Sequence, residues 1–221
     1  MPLDDRALVE KLLARDERAF AGRRHLRLSV IGIVLLAACS SPSGPSDAGS
    51  RWVWRENCAG AYPAQESSPY VLPYEPGRSF VVGTGNCEAP HNRYSFEQYA
   101  YDFVMPIGTP IVAARDGEVI LVEERFANGT RIPEQVNRIH VRHADGTVGS
   151  YGHLTTNGAL VVVGDRVERG QIIGLSGDSG DSTAPHLHFG VFQAGASIPI
   201  TFRNTRPHPR GLIRGESYRA E

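Results

Sequence analysis

Lysine is almost missing from this chain: Lys11 is the only one, and every other basic side chain is arginine. The glycine-punctuated run at residues 163–174 reads as strand–turn–strand, a pattern shared with biotinyl and lipoyl carrier modules. Those modules need a modifiable lysine at the turn, and the domain here has none. The carrier reading is therefore excluded. Charge of one sign is also lacking, with 23 Lys and Arg against 24 Asp and Glu. No basic cluster resembles a nucleic-acid footprint, so nucleic acid is not an expected partner. The apolar stretch at residues 28–38 is too short to cross roughly 30 Å of hydrocarbon as a helix. Cysteine is scarce, at three residues, and helical periodicity is nearly absent from the body of the chain.

What is present at the N-terminus reads as a targeting segment. Arg23, Arg24 and Arg27 precede the apolar stretch, which ends Leu36-Ala37-Ala38-Cys39. A basic flank, a short apolar core and small residues make a secretory signal peptide over residues 1–38. Leu8, Val9, Leu12 and Leu13 lie among charges in an atypical extension ahead of the basic flank, with the spacing of a short amphipathic helix. The Leu-Ala-Ala-Cys ending resembles the lipobox of bacterial lipoproteins. That resemblance implies lipidation of Cys39, an anchor in the bilayer and, with Ser40 following, an outer-membrane address facing the periplasm. Cleavage of a plain signal peptide near Ala38 is the alternative. Residues 39–50 carry Ser, Pro and Gly without apolar content and form a flexible tether. Two cysteines then remain, Cys58 and Cys87. In an exported chain they suggest a disulfide tying an N-terminal extension, residues 51–78, to the domain; two free thiols are the alternative.

From about Ser79 the chain reads as short strands divided by turns. Strand-like runs fall at residues 78–82, 99–104, 111–114, 118–122, 137–143, 147–153, 159–163, 171–175 and 186–192. Asp116-Gly117 and Asp145-Gly146 lie between alternating runs, which is a strong hairpin signal. The expectation is an all-β, antiparallel sandwich or compact roll.

The richest stretch is Ser182-Thr183-Ala184-Pro185-His186-Leu187-His188-Phe189-Gly190-Val191. Side chains alternate faces along a strand, so His186 and His188 point to the same side. Two imidazoles aimed into one space begin a metal site or a catalytic pair, and the bland alternative is a solvent-facing edge. His153 ends a second strand-like run, and His91 precedes the strand that holds Asp102, which favours a site. His140 and His143 read as solvent-exposed, His208 as part of a polar tail, and Glu88 and Glu97 as solvated charges.

The ordered set His91, Asp102, His153, His186 and His188 resembles the lysostaphin-like (LytM-type) zinc metallopeptidases that cut peptidoglycan peptides. The likeness rests on Tyr99-Ala-Tyr-Asp-Phe, Gly108-Thr-Pro-Ile-Val-Ala-Ala-Arg-Asp-Gly-Glu-Val, Tyr151-Gly-His-Leu, Ser176-Gly-Asp-Ser-Gly and Pro185-His-Leu-His-Phe. It implies a compact β-roll of the duplicated hybrid motif type over residues 79–203; the Arg, Pro and Gly content of residues 204–221 reads separately as an irregular terminal tail. It implies one zinc per chain held by Asp102 and His188, with His153 and His186 on the catalytic face. The family pattern has a ligand His four residues before the Asp, and this chain has Gln98 there. Amide oxygen suits zinc poorly. His91 is the nearest upstream imidazole and the expected third ligand; the alternative makes it a loop residue beside a degenerate site. The rival functions are accordingly an inactive family member that binds the wall or activates an amidase, and a metal-free peptidoglycan-binding module.

Overall fold

The computed structural model describes residues 60–91 and 96–221. The expected leader, Cys39, the tether and Cys58 lie outside the described residues. Within these the chain is β-rich, with one 3-10 turn at Gln65–Ser67. The strands are β1 (Ser79–Thr84), β2 (Tyr101–Val104), β3 (Pro110–Val112), β4 (Gly117–Glu123), β5 (Arg138–Arg142), β6 (Val148–Gly152), β7 (Leu154–Ala159), β8 (Arg166–Val167), β9 (Ile172–Ser176), β10 (His186–Gln193), β11 (Ala196–Ser197) and β12 (Ser217–Arg219). A nine-stranded sheet runs β12-β1-β2-β10-β6-β5-β4-β8, with β11 beside β10, and a three-stranded sheet runs β3-β9-β7. The pairings around the histidines are antiparallel. The all-β antiparallel expectation agrees with this architecture.

Period-2 alternation divides the large sheet into a core face and an outer face. Tyr101, Phe103, Ile139, Val141, Tyr151, Leu187, Phe189 and Val191 are all fully buried. Phe202 packs its ring against Tyr101, Phe103 and Phe189 at 5.8, 6.4 and 6.1 Å between centroids. The residues between them, Asp102, Arg138, His140, Gly152, His186 and His188, therefore belong to the opposite face. One set of hydrophobic positions thus fixes both the core and the groove.

Core residues also come from beyond 79–203. Tyr70, Leu72, Tyr74, Leu212, Tyr218 and Ala220 are buried in the same cluster. The Val71 amide donates to Ala114 O at 2.8 Å, and Val112 N donates to Pro73 O at 3.1 Å. Residues 71–74 thus run beside β3, and β12 pairs with β1 at the sheet edge. The tail is ordered by these contacts.

Three local readings change. The run 159–163 is not a strand: β7 ends at Ala159, and Leu160, Val162 and Val163 are exposed while Val161 turns inward. A bond from Gly164 N to Val119 O and one from Asp165 N to Val162 O close a turn there instead. His143 is 3% exposed rather than solvated, its Nδ1–H donating to Asp116 O at 2.8 Å. His208, also 3% exposed, accepts from Phe202 N on Nε2 at 2.9 Å and donates from Nδ1 to Arg206 O at 2.8 Å. Apolar and polar runs look alike in sequence whichever way a distant segment covers them.

The His208 pair of bonds fits only the neutral ring, because a protonated Nε2 could not accept from Phe202 N. Burial accordingly lowers its pKa from the usual 6.5. The unfolded chain then takes up a proton first as pH falls below about 6.5, and the stability contributed by neutral His208 is lost in the acid direction. Urea unfolding of His208→Asn should show a shallower fall in stability between pH 7 and 5 than the parent protein. An identical slope would contradict the neutral assignment.

Candidate active site

Register brings the first two groups together. His188 on β10 stands opposite Asp102 on β2, and Gly152 on β6 flanks His188 on its other side. His188 Nδ1 lies 2.9 Å from Asp102 Oδ1 and donates to it. His91, 1% exposed, brings Nε2 to 3.5 Å from the same oxygen, and His186 brings Nε2 to 3.6 Å. His91 and His188 meet edge to face, with ring centroids 4.9 Å apart.

Gln98 goes elsewhere. Its side-chain Nε2 lies 3.4 Å from Cys87 Sγ and its backbone carbonyl accepts from Cys87 N at 2.8 Å. Gln98 is thus tied to the Cys87 turn, and the deeply buried His91 faces Asp102 from the preceding loop. Glu88 accepts from Gly85 N at 3.2 Å and lies 4.0 Å from Arg214, away from the histidines. Glu97 differs from its solvated reading. Its carboxylate is only 34% exposed and sits 3.3 Å from His188 Nε2. No spacing rule would have found Glu97, since its direction is set by the loop before β2.

The charges reinforce one another. Burial alone would raise the Asp102 carboxyl, but the His188 hydrogen bond and the charge of His188 outweigh it, with smaller lowering contributions from the nearby His91 and His186 imidazoles. Asp102 is therefore held well below the usual carboxylate range. Burial likewise works against a charged His188, yet Glu97 and Asp102 push it up to about 10. Burial lowers His91, with Asp102 opposing, which keeps that ring neutral.

His153 occupies a strained backbone position. It joins β6 to β7 with φ of 59°, a left-handed conformation that costs a β-carbon-bearing residue roughly 1–2 kcal/mol. The turn puts its ring 4.5 Å from His186 and 5.8 Å from His188, centroid to centroid. Strain of this kind persists where the surroundings hold it, and here Nδ1–H donates to Ser179 O at 2.6 Å. Burial, then the neighbouring histidines, lower its pKa to about 4. His186 is oriented in the same way, with Nδ1–H donating to Ala184 O at 2.7 Å and Ser182 Oγ at 3.2 Å. Ser182 Oγ donates to Asp178 at 2.6 Å, and Arg131 Nη1 donates to the same carboxylate at 2.9 Å. A carbonyl oxygen only accepts, so both rings carry the proton on Nδ1 and leave Nε2 as a base. Sequence reading did not anticipate this supporting chain.

His91, Asp102 and His188 each offer a ligand atom, all within 4.8 Å of one another. Tetrahedral zinc at about 2.0–2.2 Å from nitrogen and oxygen donors separates its ligands by roughly 3.4 Å. The 2.9 and 3.5 Å spacings around Asp102 Oδ1 come close to this. Two imidazoles and a carboxylate are also the donor types zinc takes in catalytic sites. The residues present fit the ion.

Residues 97–199 match the model described as Peptidase family M23. His91 lies upstream of that span. The chain is 36% identical over 110 residues to peptidoglycan DD-endopeptidase ShyA of Vibrio cholerae, covering 50% of this chain and 22% of that protein. It is 44% identical over 92 residues to glycyl-glycine endopeptidase ALE-1 of Staphylococcus capitis, covering 41% and 23%. It thus spans less than a quarter of either relative. The solved structure of lysostaphin from Staphylococcus simulans is 32% identical, covers 60% of this chain and 51% of that one, and superposes with a TM-score of 0.40.

His91→Ala should weaken zinc binding by at least the ten- to hundredfold that loss of a supporting partner typically costs a metal site, whereas Gln98→Ala should leave affinity unchanged. Competition against a chromophoric chelator measures both. Parent-like affinity in His91→Ala would remove it from the donor set.

Proposed function

We propose, from the match of residues 97–199 to the Peptidase family M23 model, that this protein is a zinc-dependent endopeptidase that hydrolyses peptide bonds of cell-wall peptidoglycan. The observation that carries the reading is the approach of three imidazole nitrogens to Asp102 Oδ1, at 2.9, 3.5 and 3.6 Å. His91, Asp102 and His188 hold the metal. When bound, zinc supplies a Lewis acid that polarises the scissile carbonyl and lowers the pKa of a water molecule toward neutrality.

The chain's own residues supply the proton transfers. His153 and His186 present unprotonated Nε2 atoms to the groove, each ring fixed through Nδ1 by a backbone carbonyl. One takes the proton of the attacking water on Nε2. That proton then passes to the leaving amine, while the second ring hydrogen-bonds the oxygen that gains charge. Asp178, Ser182 and Arg131 hold His186 in place for this task. The inactive-member alternative draws its support from Gln98, and His91 beside Asp102 weakens that support.

The reading extends to the envelope. The basic–apolar leader and Leu36-Ala37-Ala38-Cys39 support export and a lipid anchor at Cys39 facing the periplasm. A tether at residues 40–50 then keeps the domain near its polymer, raising the local concentration of each for the other. A disulfide between Cys87 and Cys58 would tie the N-terminal extension to this domain.

Purified sacculi incubated with the zinc-loaded protein should release peptide-linked fragments whose masses show added water, and a chelator should stop the release. His153→Ala should keep one zinc per chain yet cleave about a hundredfold more slowly or worse. Zinc lost together with activity in His153→Ala would overturn the division between ligands and proton carriers. Replacement of Cys39 by Ser should release the protein from membranes; membrane retention of that variant would contradict the anchor.

A further inference from the structure

Arg138 lies on the groove face with its Nε buried and without a hydrogen-bond partner, opposite Glu123 on β4. It lies on β5 in the same transverse row as Gly152 and His188, since Gly152 pairs with Arg138 on one side and with His188 on the other. Ile139 and Val141, its alternating neighbours, are fully buried, which sends Arg138 to the groove face. Gly152 contributes no side chain between Arg138 and His188. Neighbouring strands stand about 4.8 Å apart, so the two rows of backbone are roughly 10 Å from each other. That separation is within reach of an arginine side chain and two or three residues of extended peptide.

The guanidinium is half-buried, and its Nε is fully buried without a hydrogen-bond partner. Glu97 and Glu123 both act on it electrostatically, yet each is engaged elsewhere. Glu97 lies 3.3 Å from His188 Nε2, and Glu123 lies 3.4 Å from Arg125 Nη2. His140, next on the same face, is pushed down to about 3 by burial and by Arg138 itself, so it adds no second cation. A partly desolvated guanidinium whose buried Nε–H has no acceptor is costly unless a ligand supplies one. Its planar fork matches a carboxylate with two parallel hydrogen bonds.

We propose that Arg138 forms a carboxylate-binding subsite, selecting peptides that carry a free carboxylate within two residues of the scissile bond. The proposal rests on the endopeptidase reading for the identity of the ligand as a peptide, but its geometry is independent of cleavage.

Two synthetic stem peptides, identical except for a free carboxylate or a carboxamide at that position, test it by calorimetric binding. The protein is the full chain, zinc-loaded and carrying His153→Ala to slow hydrolysis. The carboxylate peptide should bind at least about tenfold more tightly, the scale of a charge-assisted hydrogen bond. Arg138→Gln should remove that preference, and Arg138→Lys should restore part of it. Equal binding of the two peptides, binding of neither, or a preference that survives Arg138→Gln would overturn the subsite. Cleavage of both peptides by the protein with His153 intact is scored separately. A carboxylate preference with no cleavage of either peptide would sink the endopeptidase reading while leaving the Arg138 subsite standing.

Discussion

The outer face of the sheet is organised around one carboxylate oxygen. Asp102 Oδ1 is approached by nitrogen from β10 twice, through His188 and His186, and once from the loop that carries His91. Concentrating that many titratable groups in a buried place would be unfavourable if their charges did not cancel. They do cancel: Asp102 stays ionised because imidazoles surround it, and His188 accepts a proton because Asp102 and Glu97 flank it. A divalent cation offers the same compensation to the same groups, in exchange for the protons they share. The cluster is therefore poised for a metal by its own electrostatics.

The fold's contribution is register. A one-residue slip between β2 and β10 would turn His186 and His188 into the core and bring Leu187 and Phe189 out. Tyr101, Phe103, Leu187 and Phe189, packed around Phe202, make such a slip prohibitive. The same hydrophobic contacts that stabilise the roll thus hold Asp102, His186 and His188 in position. His153 adds a second device, a left-handed junction residue secured by the Ser179 carbonyl, which places an imidazole on the groove without lengthening either strand.

Much of this was legible in sequence because it depends on local periodicity. The pair His186 and His188 on one strand face, the Asp145-Gly146 hairpin between β5 and β6 and the β class follow from spacing alone, whereas Asp116-Gly117 carries the chain from β3 in one sheet to β4 in the other and closes no hairpin. The pairing of β2 with β10, 86 positions apart at His188 and Asp102, does not follow from spacing, since it is a product of the whole topology. Burial misled where remote segments decide it. His143 and His208 looked polar and exposed, but the chain folds over both and satisfies them with backbone groups. The hydrophobic run at 159–163 looked like a strand, yet only Val161 finds a core to enter. Glu97 and Arg138 carry no motif, and their meaning emerges only from which neighbours lack partners.

The most direct test of the central claim is X-ray absorption at the zinc K-edge of the purified chain loaded with one equivalent of metal. The account predicts two imidazole nitrogens at about 2.0–2.1 Å together with oxygen donors from Asp102 and solvent. A shell without imidazole, one containing sulfur, or a metal that washes off before measurement would contradict it.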